Sequence, residues 1–169
     1  MPVFVGRPAP VAAGGIGAMR AAAEAVPDRV RVEVLARARA EALNIPGVLL
    51  RLDRADGKPV AGNADLVVDY SAFRSAYGAG YGRRLRIVRY PACVLTTPKQ
   101  RGCALGTEVP TRNDTANRQL VAEVTVEPPA GEKPRSGSEL TLSAGSGAVF
   151  AVMASSSSGG GSYAAQPLS

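Results

Sequence analysis

The chain contains no histidine and no tryptophan, and only two cysteines among its 169 residues. Without histidine it lacks the commonest general base and metal ligand, the one side chain whose ordinary pKa lies close to neutrality. A Ser-His-Asp triad is therefore excluded within this chain, and the serines at 155–158 have nothing to activate them. Long apolar runs are missing too: no stretch reaches the roughly eighteen to twenty residues that a membrane-spanning helix needs. The first residues, Met1-Pro-Val-Phe-Val-Gly, have neither the charged start nor the apolar stretch of a signal peptide. If the protein is exported, its signal is expected outside this sequence. Lysine is confined to Lys58, Lys99 and Lys133, so arginine supplies most of a formal net charge of +6. That balance favours acidic partners in general. The arginines are scattered, however, with no tract of about five or six like charges, and a composition rich in Ala, Gly, Pro and Arg fits codon bias. No nucleic-acid partner is expected.

What remains is a core of small and branched side chains arranged in alternation. Residues 30–35 (Val-Arg-Val-Glu-Val-Leu) alternate apolar and charged, the pattern of a half-buried strand. Residues 36–43 are strong helix formers stopped by Asn44 and Pro46, about two turns. Two further alternating runs, at 48–52 and 66–70, flank an Asp56-Gly57 turn and predict a hairpin with a long loop. Residues 71–77 predict one helical turn, capped by Ser71 and ended by Gly78. Strands are predicted again around 84–89, 120–127, 140–143 and 149–153. A parallel α/β fold would need long crossover helices between strands. The expected fold is therefore mainly β: an antiparallel sandwich, Ig-like or jelly-roll-like, with one or two short helices and flexible tails. Residues 1–28, with Pro2, Pro8, Pro10, Pro27 and Gly14-Gly15, read as a linker or arm carrying at most a brief helix at 16–25. Residues 29–154 form the sandwich. Residues 155–169 read as a Ser/Gly linker leading to a following module.

The clearest chemistry is Cys93 with Cys103, flanked by Pro91, Pro98 and Gly102. A loop-closing disulfide is the favoured reading, and it implies an oxidising compartment. Free thiols remain the alternative. A metal half-site would need further soft ligands that the chain does not have, and a redox pair would be spaced more closely. Among the carboxylates, Asp65, Asp69 and Glu123 are best placed on strands, with Asp69 expected in a surface ion pair beside the Arg-rich strand at 84–89. Asn113, Asp114, Thr115 and Asn117 offer one carboxylate where calcium usually takes several, so a polar turn is expected. Gly78, Gly80 and Gly82 lack the strand before and helix after that a dinucleotide loop requires. Tyr70, Phe73, Tyr77, Tyr81 and Tyr90 crowd into twenty-one residues. Phe73 and Tyr77, four apart, are expected to plug one end of the sandwich, leaving Tyr81 as the exposed ring. Tyr77, Tyr81, Arg83 and Arg84 are accordingly the candidate ligand-binding residues. No catalytic residue, metal or cofactor is expected.

The runs Ile45-Pro-Gly-Val-Leu-Leu-Arg-Leu-Asp-Arg-Ala-Asp-Gly, Val68-Asp-Tyr-Ser-Ala-Phe-Arg-Ser-Ala-Tyr-Gly and Arg84-Leu-Arg-Ile-Val-Arg-Tyr-Pro-Ala-Cys-Val-Leu-Thr-Thr-Pro resemble a segment of large secreted bacterial RHS/YD-repeat proteins. In that family the segment lies between a DNRLRE wall-type domain and the repeat shell. The likeness covers about residues 30–169. The family often carries Asp-Trp where this chain has Gly80-Tyr81, so an aromatic is kept and a carboxylate lost. The resemblance implies an extracellular or cell-surface location, adjacent domains of a larger toxin-like polypeptide as partners, and a structural spacer or interaction role. The alternative is a carbohydrate-binding module for a cell-wall glycan.

Overall fold

Alternation of buried and exposed residues along the strands sorts the chain into two antiparallel sheets. The computed structural model describes residues 2–8, 26–74, 80–129, 147–155 and 163–164. One sheet has four strands in the order β1-β4-β8-β7: β1 is Val3–Gly6, β4 Gly62–Asp69, β7 Arg112–Asp114 and β8 Gln119–Val126. The other has six, in the order β10-β6-β5-β9-β3-β2: β2 is Val30–Val34, β3 Val48–Arg54, β5 Leu85–Tyr90, β6 Leu105–Val109, β9 Ala148–Ala154 and β10 Tyr163–Ala164. Every strand pairing is antiparallel. The helix α1, Arg37–Ala42, stands between β2 and β3. This is the expected β-sandwich.

The sandwich has two cores. Between the sheets, Ala64, Leu66 and Val68 of β4 and Leu120, Ala122, Val124 and Val126 of β8 meet Leu50, Leu52, Leu85, Ile87, Phe150 and Val152 of the larger sheet. The opposite face of that larger sheet is apolar as well, through Leu49, Val88, Tyr90, Val149, Ala151 and Met153. It is covered by Ala40 of α1, by Leu43 and Ile45 beyond it, and by Val94, Leu95 and Ala104 of the loop between β5 and β6. A strand covered on both faces reads as a continuous apolar run, and Ala-Val-Phe-Ala-Val-Met in β9 is one. A pleated sheet with two apolar faces must be covered twice, which makes three layers.

The predicted hairpin between residues 48–52 and 66–70 does not form. β3 pairs with β2 and β9, while β4 pairs with β1 and β8, so the chain crosses from one sheet to the other at the Asp56-Gly57 turn. Alternation fixes which face is buried, not which strand lies alongside. Residues 3–6, assigned to the linker arm by sequence, form the outer strand of the four-stranded sheet, with Val5 opposite Leu66. Tyr163 and Ala164, assigned to a following module, pair with Gly106 and Leu105 of β6. The helix expected at 16–25 and the strand at 140–143 lie outside the described residues.

The crossing is held by a buried arginine. The Arg54 side chain has no solvent exposure, and its Nε and Nη2 donate to the two oxygens of Asp56 at 2.7 and 2.9 Å. Its Nη1 donates to the Val60 carbonyl at 3.0 Å, and Nη2 also to that of Val26 at 3.4 Å. Asp56 further accepts the backbone N–H of Asp28 at 3.0 Å and of Lys58 at 3.2 Å. Three segments, at 26–28, 54–56 and 58–60, are thus tied to one ion pair. Hydrogen bonds from Arg54 hold the Asp56 carboxyl far below the usual carboxylate range, helped by the N–H groups of Asp28 and Lys58.

A depressed native pKa stabilises the fold above the unfolded value and is lost as pH falls through the native one. Stability is therefore expected to decline below about pH 4, where unfolded Asp begins to take up protons. Asp56→Asn should flatten that acid limb relative to the wild type, as read by urea midpoints at neutral and acid pH. An acid limb as steep in Asp56→Asn as in the wild type would assign the loss to other carboxylates.

Candidate functional site

The strands β4, β5 and β8 and the turn after β7 bring Tyr70, Gly80–Arg83 and Thr115–Arg118 to the same end of the sandwich. Tyr70 follows β4 directly and is 3% exposed. Its N–H donates to the Arg118 carbonyl at 3.0 Å. Its hydroxyl donates to Asn113 Oδ1 at 2.8 Å, and Asn113 Nδ2 donates to the Gly82 carbonyl at 2.8 Å. The ring lies against Gly82, where an added Cβ would stand 2.7 Å from Tyr70 Cε2. Only glycine allows that approach without displacing the ring. Burial, and then the charge of Asp114, pushes the Tyr70 phenol above its ordinary pKa, so it serves as a neutral donor.

Around this buried post lies an open cleft of about 440 Å³, lined by Tyr70, Arg74, Gly80, Gly82, Arg83, Thr115, Ala116 and Arg118. Arg74, Arg83 and Arg118 are all exposed. Arg118 occupies the left-handed region with φ 59°, which turns the chain sharply into β8. The N–H of Gly82 donates to the Arg74 carbonyl at 3.3 Å, and the N–H of Arg83 to the Gly80 carbonyl at 3.1 Å.

Two carboxylates stand nearby, both engaged in their own turns. Asp69 Oδ1 accepts the N–H of Ser71 at 2.8 Å, and this bond leads in holding its pKa below the ordinary value, with the charge of Arg118 contributing. Asp69 thus receives the first N–H of the 3-10 turn Ser71–Phe73; the cap position is Tyr70, not Ser71, and carries no side-chain cap. The ion pair expected between Asp69 and the Arg-rich strand is replaced by others, because β5 lies in the opposite sheet: Arg86 pairs with Glu108 at 2.6 Å and Arg89 with Glu127 at 2.9 Å. Asp114 accepts the N–H of Asn117 at 3.0 Å and its Nδ2 at 2.8 Å, the first of which leads in lowering its pKa. Asn113 and Asp114 end β7, and residues 115–118 form the polar turn into β8. Among the described residues no group of three or more Cys, Asp or Glu is gathered to hold a metal ion.

Comparison with protein-family models, with curated proteins and with solved structures finds no match.

The sequence-predicted residues separate. Cys93 and Cys103 are joined in a disulfide, with Cα atoms 5.4 Å apart. Tyr77 lies outside the described residues. Tyr81, expected as the exposed ring, is half-buried and packs against the inter-sheet core. Arg83 and Arg84 are exposed on the 3-10 turn Gly82–Arg84, but of these two only Arg83 lines the cleft. Phe73 packs on the inter-sheet core, its ring 6.4 Å from that of Tyr70. Asp65 and Glu123 face each other in register on β4 and β8, away from the cleft, where Glu123 accepts Asn63 Nδ2 at 3.0 Å. Sequence reasoning missed Arg74 and Arg118. Arg118 follows Asn117 in the polar turn it did recognise, but nothing local pairs residue 118 with residue 74.

Proposed function

We propose that the chain is a non-catalytic structural and interaction module of an exported, cell-surface protein of the RHS/YD-repeat kind that it resembles, acting as a rigid spacer between adjacent domains of a larger polypeptide. The observation that carries this reading is the Cys93–Cys103 disulfide, whose loop covers the outer core of the six-stranded sheet. A bond of that kind persists where thiols are kept oxidised. The second apolar layer and the Arg54 clamp support stiffness, and the absence of histidine supports a role without acid–base chemistry. Among the described residues no helix is long and apolar enough to cross a membrane, so attachment would come from neighbouring domains.

Localisation tests the reading. An antibody raised against the folded chain should label intact, unpermeabilised cells of its source, and the protein recovered from them should resist alkylation unless first reduced. Labelling only after lysis, with both thiols free, would overturn it.

A further inference from the structure

We infer that the cleft lined by Arg74, Arg83 and Arg118 is a binding site for an acidic glycan, a saccharide polymer carrying carboxylate or phosphate groups along its length. The inference goes beyond the spacer reading and does not depend on it, since the cleft belongs to the folded chain alone.

Three cations from two connections, Arg74 and Arg83 between β4 and β5 and Arg118 between β7 and β8, line one open cleft. Several other arginines are ion-paired: Arg37 with Glu41, Arg51 with Asp53, Arg54 with Asp56, Arg86 with Glu108 and Arg89 with Glu127. Among the described residues, Arg74, Arg83 and Arg118 make no such ion pair. Asp69 and Asp114 offset part of the charge, but their oxygens already accept from Ser71 and Asn117. The guanidinium forks therefore face solvent with donors to spare, and such forks match carboxylate and phosphate oxygens two bonds at a time.

The backbone beneath them is fixed. The carbonyls of Arg74 and Arg118 and the N–H of Arg83 are each hydrogen-bonded, and the Tyr70–Asn113–Gly82 relay joins the loops below. A ligand then orders only side chains, which lowers the entropic cost of binding. The volume lies within the roughly 300–1,000 Å³ of small-ligand sites, and the open form admits a polymer. Among the described residues no exposed ring lines the cleft: the Tyr70 ring is buried and Tyr81 packs on the core. Single-stranded nucleic acid is held largely by aromatic platforms, so its chemistry fits this cleft less well than that of an acidic sugar chain.

The test titrates the full chain by calorimetry with polygalacturonate, a phosphomannan, neutral dextran and single-stranded DNA, at low and at high salt. One or both acidic polymers, and not dextran, should bind, more weakly as salt rises. Binding of the first identifies carboxylate recognition, and of the second, phosphate. Arg83→Ala combined with Arg118→Asn, which keeps a residue tolerant of the left-handed backbone, should weaken binding about tenfold or more. Arg31→Ala, on the exposed side of β2, should leave it unchanged. If the double variant melts early, Arg74→Gln carries the same comparison. Failure of both acidic polymers to bind, or equal weakening by Arg31→Ala, would overturn the site. Binding of DNA as tight as that of either polymer, lost in the same variant, would overturn the glycan as its ligand.

Discussion

Arg54→Ala is expected to cost about 3 kcal/mol of folding stability, a fall in melting temperature of about 10 °C for a domain of this size. The side chain is fully buried where the chain passes from one sheet to the other, and its removal strips donors from Asp56 and from the carbonyls of Val26 and Val60. Breaking a buried pair from one side is the costly case, because the remaining charge stays in a poorly solvated place. Arg54→Lys should recover part of the loss, since an ammonium keeps the charge but cannot span both carboxylate oxygens in one plane. The comparison is made by urea denaturation of the three proteins. Stability of Arg54→Ala within about 0.5 kcal/mol of the wild type, the range of ordinary surface substitutions, would show that the clamp is replaced by water without cost.

Removing the disulfide is the second large effect. Cys93→Ala with Cys103→Ala should lower stability by about 2.5–3 kcal/mol from the chain entropy returned to the unfolded state. In this fold the loop is also a cover: Val94 is fully buried in the cluster of Val88, Tyr90 and Met153, and Cys103 is 3% exposed. The double variant should therefore bind a hydrophobic dye more strongly near the folding midpoint than the wild type does. A lower stability without added dye binding would leave the entropic part standing and remove the covering role. Unchanged stability would remove both.

The strands were legible because alternation is a local signal. β4 and β8 bury every second residue almost without exception, and the sequence marked both. The third layer was written less openly. Adjacent Leu49 and Leu50 point to opposite faces of β3, each into a different core. An alternating reading accounts for only one of them. Pairing was not legible, since the partners of β3 lie at 30–34 and 148–152. Arg54 was not legible either: an arginine at a strand end beside Asp-Gly reads as surface charge, and only the tertiary fold encloses it. The cleft is assembled from residues 74, 83 and 118, three turns with no shared pattern. The aromatic cluster did mark its neighbourhood, but through Tyr70, which is the support beneath the cleft and not its contact surface.

The placement of β1 and β10 has a mechanical meaning. Each is the outermost strand of its sheet, held through a single neighbour: β1 by four residue pairs to β4, and β10 by two to β6. A pull applied to the two ends of the chain meets these short outer ladders first, while the interior strands carry load through two neighbours each. Force would therefore peel β10 and then β1 and lengthen the molecule in small steps, each residue freed adding at most about 3.6 Å. The disulfide would withhold the residues between Cys93 and Cys103 from any extension. Such a chain yields at its margins before its centre, absorbing a sudden load with the sandwich still folded.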